Sequence, residues 1–461
     1  MIEEVSNAEE NRPPNMRAGH SLFLRSHGYL HALGFLSTLI YGYLCVQSRG
    51  VESVPIFHFF ACMGAVWGAL VGAFFLYGKG LPKGALIGIL IWAALFRIVG
   101  IAANPILAED DYFRFMWDGY RFAVTGDPYQ GVPADFLEDE TLPASVASIV
   151  YDINYPELPT IYGPIMELVF LASYKLAPAS LIALKCLFVL FEGLLLFLLS
   201  RLLSLRWFLV ASWCPLLVFE TSFQAHPDVV GVSLMVVAYW AARRQYPWIS
   251  MLVLGLATCA KPFAVLLWPF IVQERRWFAQ GVLLALVLGF VYLPFLLQNS
   301  DAGSTSLGAM ATEWEFNSIG YALLQYLFGD YARLASLTCF AGVYLWLLIR
   351  FWHQKKREEV KEPPLDFVYA ALFFFSPVIN PWYLMWLLPF VLLKPRSWSL
   401  VALGVVSLSY ATGLNLGDSS LEEFEIPLLV QGLEFGLIAA AVIYGVYEGS
   451  RKRKGEINRR R

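Results

Sequence analysis

The run from Lys83 to Ala103, KGALIGILIWAALFRIVGIAA, is followed at once by NPILAEDDYFRFMWDG over residues 104–119. A helix needs about 20 apolar residues to cross the roughly 30 Å hydrocarbon layer of a bilayer, and the first run has that length. Lipid offers the backbone no hydrogen bonds, so such a run must be helical. The second stretch then places three consecutive carboxylates, Glu109, Asp110 and Asp111, directly beyond the end of the apolar run.

Outward from this point the same pattern recurs. Further apolar runs lie near 28–47, 54–77, 160–178, 180–203, 277–297, 331–350, 397–413 and 427–447. Three other regions read as pairs of shorter helices meeting at a polar or proline break: 206–224 with 228–242, 248–261 with 262–273, and 366–380 with 381–393. Proline lacks the N–H and clashes with the preceding turn, so it ends or bends a helix. The fold class this predicts is all-α, a polytopic transmembrane helical protein of about 12–14 spans. Residues 28–447 form one membrane domain with a main outer loop at 104–160. A cytoplasmic segment, 1–27, precedes it, and a basic cytoplasmic tail, 448–461, follows.

Composition agrees. Hydrophobic residues make up 58% of the chain and charged ones 15%, against about 25% charged in ordinary soluble domains. Strand-like alternation of the kind a membrane barrel needs is absent. No phosphate-cradling glycine loop, zincin motif or paired CxxC occurs, so a soluble nucleotide-binding fold and a nucleic-acid partner are not expected. The six cysteines lie in apolar stretches and read as small buried hydrophobes.

Lys and Arg set the expected orientation. Basic clusters at Arg243-Arg244, Arg275-Arg276, 350–361, Lys394/Arg396 and the C-terminal tail are assigned to the cytoplasm. The connection 104–160 carries eleven Asp/Glu and two Arg, and the loops 298–316 and 414–427 carry acids with no Lys or Arg. These are assigned to the outside. The arginine pairs flank one broken helix pair, which therefore enters and returns as a V with Lys261 at its apex. The parity of residues 160–205 does not close if both runs cross fully, so one of them is expected to be interfacial.

Ionisable residues at the breaks are the chemical candidates. An ionisable residue inside a spanning segment costs roughly 2.5–3.5 kcal/mol on insertion scales and is a functional candidate by default. Crowded carboxylates repel one another, which leaves at least one as a better base. In a helix, Asp111, Arg114, Asp118 and Arg121 share one face, expected to turn toward water while Phe113, Phe115, Met116 and Trp117 turn toward lipid or protein. His226-Pro227-Asp228 forms the second acidic break, with capping as an alternative role for Asp228. Lys261 precedes Pro262, where it either snorkels or offers a cation to a phosphate. Glu157 and Tyr162 lie in the stiff, proline-rich return NYPELPTIYGP (154–164), and Asn380 and Tyr383 frame the third break.

Taken in order, Asp110-Asp111-Tyr112, Arg114, Trp117-Asp118-Gly119, Gly126-Asp127-Pro128-Tyr129, the 154–164 return, His226/Asp228, Ala260-Lys261-Pro262 and Asn380-Pro381-Trp382-Tyr383 resemble the bacterial polytopic glycosyltransferases of the GT-C superfamily, closest to its family-87-like and mannosyltransferase-like branch. The resemblance spans about residues 83–395. Pro227 and Asp127 stand where that branch often has Asn. The resemblance implies an inverting hexosyltransferase, with mannose the candidate sugar, acting in a bacterial cytoplasmic (inner) membrane with its site on the extracytoplasmic face. It implies a polyprenyl-phosphate-sugar donor, a lipid or glycan acceptor and membrane lipids as partners. Asp110 or Asp111 would be the base and Asp228 the second catalytic carboxylate. Arg114, Asp118, Arg121, Glu157, Tyr162, His226, Lys261, Asn380 and Tyr383 are the substrate and donor-phosphate candidates. No cofactor is required by this reading, and a divalent cation, Mg²⁺ or Mn²⁺, is left open with its ligands unknown. The rival class is a secondary transporter or a lipid-linked sugar flippase, since broken helices serve those too. Against it stand the lack of two corresponding halves and the crowding of acids on one face.

Overall fold

The computed structural model describes residues 14–49, 56–77, 84–104, 108–298, 308, 312, 314–358 and 362–460, with side chains from 28 to 451 within those ranges. Residues 1–13 of the expected segment 1–27, most of the loop at 298–316, and the side chains of 14–27 and of the basic tail beyond 451 lie outside what is described, while the backbone of 14–27 continues the first helix, Pro14–Gln47. Among the described residues the chain is helical, and its one β-bridge is an isolated parallel contact between Phe316 and Val378.

Among the described residues seven helices are long and apolar enough to cross a bilayer: Gly28–Gln47, Ile56–Leu76, Ala85–Ala102, Leu181–Leu202, Glu274–Leu296, Ile319–Lys356 and Leu428–Arg451. The remaining apolar runs fold as shorter helices, among them Pro164–Leu176, Leu205–Trp213, Asp228–Arg243, Pro247–Ala260 and Leu365–Phe375. The expected 12–14 spans thus resolve into seven full-length helices around a set of short ones, because proline and polar residues cut the other runs. At 160–205 the Pro164–Leu176 helix is the short partner: its 13 residues extend about 20 Å.

The long helices present apolar side chains outward, as Phe290 and Ile87 do, while the short Asp228–Arg243 helix is buried along most of its length and Pro164–Leu176 and Pro247–Ala260 each keep one side exposed. Three of the six cysteines, Cys45, Cys214 and Cys259, are buried as expected. Cys62 and Cys339 are only partly covered, and Cys186 faces outward. In a membrane protein a small apolar residue is as much at home against lipid as in the core.

Two buried cations, one of them paired with a buried carboxylate, fix the helix that leads to the acidic segment. Arg97 of the Ala85–Ala102 helix donates from Nε to Glu192 Oε1 of the Leu181–Leu202 helix at 3.1 Å. It also donates to the carbonyls of Ala93 and Ser212. Lys185 donates to the carbonyls of Gly100, which also accepts from the Ala103 amide, and of Ala103, both at the end of that helix. A cation at a helix C-terminus also complements its dipole.

The V expected around Lys261 is present. Asp228–Arg243 and Pro247–Ala260 pack as an antiparallel pair, so Asp228 and Lys261 share one end. The chain then returns, and Gln273 reaches Gln245 at 3.4 Å. At this second end Arg243 pairs with Glu362 at 2.6 Å and Lys356 with Glu274 at 3.4 Å. The third break behaves alike: Arg396 meets Asp366 at 2.6 Å, which leaves Asn380-Pro381 at the far tip.

Over this assembly lies the Tyr112–Thr125 helix, seated on Pro164–Leu176. Phe115 stacks on Phe170 with centroids 4.9 Å apart, and Gly119 comes so close that an added Cβ would stand 2.4 Å from the Phe170 carbonyl oxygen. A similar approach occurs at Gly163, where a Cβ would lie 2.1 Å from the Cys259 carbonyl oxygen, two residues before Lys261. Only glycine fits there, because the obstacle is backbone. Gly163→Ala is therefore expected to cost about 1–3 kcal/mol through overpacking. Thermal unfolding in detergent measures this, and an unchanged midpoint would refute the tight seat.

Candidate active site at three chain breaks

The second break is built from a widened turn. Residues Phe219–Phe223 form one π-helical turn, a form that recurs at functional sites because it re-aims side chains. Ala225 follows with φ +58°, a left-handed conformation that costs a non-glycine residue roughly 1–2 kcal/mol. Together they direct the buried His226 back onto Glu220. The His226 amide donates to the Glu220 carbonyl at 2.8 Å, and Nδ1 stands 2.8 Å from Glu220 Oε2. Tyr410 donates to the same oxygen at 2.9 Å. The imidazole stacks on Trp382 of the third break, with centroids 3.7 Å apart and planes 18° apart.

Asp228 opens the next helix as its first residue, and no side-chain cap forms at that N-terminus. Its Oδ1 instead accepts from Lys261 Nζ and from Trp386 Nε1, both at 2.6 Å. The capping alternative is thereby replaced by a buried ion pair. The Lys261 ammonium lies 4.2 Å from the centre of the Tyr383 ring and 5.2 Å from that of Phe263. Trp386 reaches Asp228 across Gly231, where a Cβ would stand 2.6 Å from the indole. Asn380 bonds through its side chain to the Tyr383 hydroxyl. All three breaks therefore meet through Trp382, Tyr383, Lys261 and Asp228.

The acidic segment closes this meeting point from the other side. Ligand atoms of Glu109, Asp111 and His226 all lie within 4.8 Å of one another. Glu109, the first of the three consecutive carboxylates, belongs to the cluster. Asp110 turns away and accepts from the Asn154 amide. Burial, with the charges of Asp111 and Glu220 next, raises the Glu109 carboxyl well above its ordinary range. Burial also raises Asp111, and the nearby His226 and Lys261 pull it back. Two carboxyls this close do not both ionise freely.

The remaining expected residues separate into neighbours and supports. Tyr162 packs edge-on to Phe115 and Phe170, and its hydroxyl senses the charges of Asp111 and Asp228. Arg114 donates to the carbonyls of Leu158 at 3.0 Å and Tyr155 at 2.9 Å, so it braces the return segment. Arg121 is buried over the Phe136 ring at 4.2 Å and bonds the Gln130 carbonyl. Glu157 is exposed. The charged face expected to meet water is turned inward: Asp118 is 1% exposed and Arg121 9%. The reason is that residues 126–163 fold back over the helix. Thr160 donates to Glu167 Oε1 at 3.0 Å and also bonds Asp118. Burial pushes Asp118 up to about 7, against the opposing charge of Arg114.

Glu220, Trp386 and Tyr410, with Trp382 of the Asn380-Pro381-Trp382-Tyr383 landmark, also build the site, and the first three have no place in the sequence motifs. Glu220 carried a usable signal, an acid within an apolar run. Trp386 and Tyr410 carried none, being indistinguishable from core residues.

A family model described as Glycosyltransferase family 87 matches residues 161–377. The match runs from the end of the outer loop through His226, Asp228 and Lys261, and supports the reading of this chain as a membrane glycosyltransferase. No curated protein and no solved structure matches.

Two tests follow from the charges. Lys261→Met leaves Asp228 buried with Trp386 alone and is expected to cost about 2–4 kcal/mol. Asp228→Asn added to that variant should restore most of the loss. Equal, additive effects in a double-mutant cycle would show that the pair is not coupled. For Asp118, the folded chain holds a proton between about pH 4 and pH 7 that the unfolded chain has lost. Stability then falls as pH rises through that window and levels above it. Asp118→Asn should flatten this slope and melt higher than wild type at pH 8; an unaltered slope refutes the assignment.

Proposed function

We propose that this protein transfers a hexose, with mannose the first candidate, from a polyprenyl-phosphate donor to a hydroxyl of a lipid or glycan acceptor. The reaction inverts the anomeric carbon and takes place at the extracytoplasmic face of a bacterial cytoplasmic membrane. The observation that carries the reading is the meeting of Glu109 and Asp111 with His226, Asp228 and Lys261 at breaks in apolar helices, within and beside the family-87 segment. The distribution of Lys and Arg supports the choice of face.

The chemistry follows from the groups. Asp111 accepts the proton of the acceptor hydroxyl as its oxygen attacks the anomeric carbon. The bond from that carbon to the phosphate oxygen breaks, and the lipid phosphate leaves with the electron pair. Lys261, aimed by Asp228, stabilises the charge that develops on the leaving phosphate. Asp228 acts through Lys261, and Tyr383 and Trp382 wall the space where the sugar would lie. A lipid donor arrives within the membrane plane, which suits a site bounded by short helices.

Transfer from a radiolabelled polyprenyl-phosphate sugar, assayed in membranes, tests the proposal. Asp111→Asn is expected to lower the rate about 10²–10⁴-fold, and Asp110→Asn, which faces Asn154, much less. Undiminished transfer by Asp111→Asn would sink the assignment of the base. Donor-independent uptake of a labelled solute into vesicles, with no transfer, would replace the enzyme reading by transport.

A further inference from the structure

We propose that Glu109, Asp111 and His226 bind a divalent cation of the borderline class, Mn²⁺ or Zn²⁺. The binding proposal stands on geometry alone; the role given to the ion below rests on the transferase reading.

The cluster is more than a group of acids. His226 is 1% exposed, and its Nε2 has no hydrogen-bond partner among the described residues. Its other nitrogen is engaged: Nδ1 meets Glu220 Oε2 at 2.8 Å, and that oxygen is itself held by the Tyr410 hydroxyl at 2.9 Å. With the Nδ1 proton donated to Glu220, Nε2 carries the free lone pair. A carboxylate behind an imidazole is the arrangement that fixes the tautomer and orientation of a metal-ligating histidine. The stack on Trp382 fixes the ring plane as well. A buried acceptor left without a donor is destabilising, and a cation at Nε2 removes that deficit.

Glu109 and Asp111 supply the oxygens. One atom of each, with one of His226, falls within 4.8 Å of the other two. Two ligands about 2.1 Å from one ion are at most about 4.2 Å apart, so the group closes on an ion by a side-chain adjustment of about an ångström. One nitrogen with two carboxylate oxygens favours Mn²⁺ or Zn²⁺ over Mg²⁺ and Ca²⁺, which prefer oxygen ligands throughout. The ion would join the acidic segment to the break at 226. In the transfer reaction it would polarise the acceptor hydroxyl whose proton Asp111 receives.

The test uses the full, untagged chain, purified in detergent, stripped with chelator and titrated with Mn²⁺ while the free-ion paramagnetic resonance signal is followed. Wild type should remove about one ion per chain, and Zn²⁺ should compete. Pulsed resonance of the bound ion should show coupling to an imidazole nitrogen. Glu109→Gln and His226→Ala should weaken binding at least 100-fold, and Glu220→Gln about 10–100-fold. Glu138→Gln, an exposed acid of the same loop, should not change it. Absence of uptake of either metal by wild type overturns the proposal, and so does bound Mn²⁺ without nitrogen coupling, a result that needs no variant to fold. Full transfer by chelator-treated protein that binds no ion would remove the metal and leave the transferase reading standing. Binding without transfer would do the reverse.

Discussion

The contact between Lys261 and Asp228, 2.6 Å long and buried on the carboxylate side, is the joint on which the membrane domain depends. Each partner sits where an apolar run breaks, and lipid would tolerate neither charge alone. Paired, they let two helices end side by side. The neutralised end then becomes a place where a third break, at Pro381, brings Trp386 and Tyr383 into contact. Backbone without helical bonds at such a depth persists only where protein or a polar cavity surrounds it. Here the aromatic rings of the third break supply that surround. A buried pair of this kind is weak evidence for stability; what it fixes is geometry.

Much of this was legible in the sequence. The apolar runs declared a helical membrane protein because length and composition leave no other option. The prolines at 227, 262 and 381 marked the breaks, since proline ends a helix whatever surrounds it. The V with Lys261 at its apex was legible from the arginine pairs, which put both of its ends on one side. What could not be read was direction. Asp110 and Asp111 are adjacent, yet one turns to Asn154 and the other toward His226, and a one-residue step along a turn decides which. The inward face of Asp118 and Arg121 was hidden for a related reason. A helical wheel shows which residues share a face, but the loop that covers it returns from forty residues away, where Arg114 binds its carbonyls.

The number of spans was the least legible feature. Hydropathy sees a run such as 160–178 as one object, whereas the chain makes a helix only from Pro164 to Leu176. The residues before it are held extended by prolines and by the tight seat of Gly163 on Cys259. Local chemistry, not mean apolarity, sets where each helix stops.

That short helix has a consequence for the lipid around it. Leu168 and Leu176 are open to the surroundings, yet about 20 Å of helix cannot match a hydrocarbon layer of roughly 30 Å. Lipids against it must thin, at a cost of fractions of a kcal/mol per ångström. A bilayer that met this helix face would dimple beside the Tyr112–Thr125 helix, its headgroup plane drawn toward the middle.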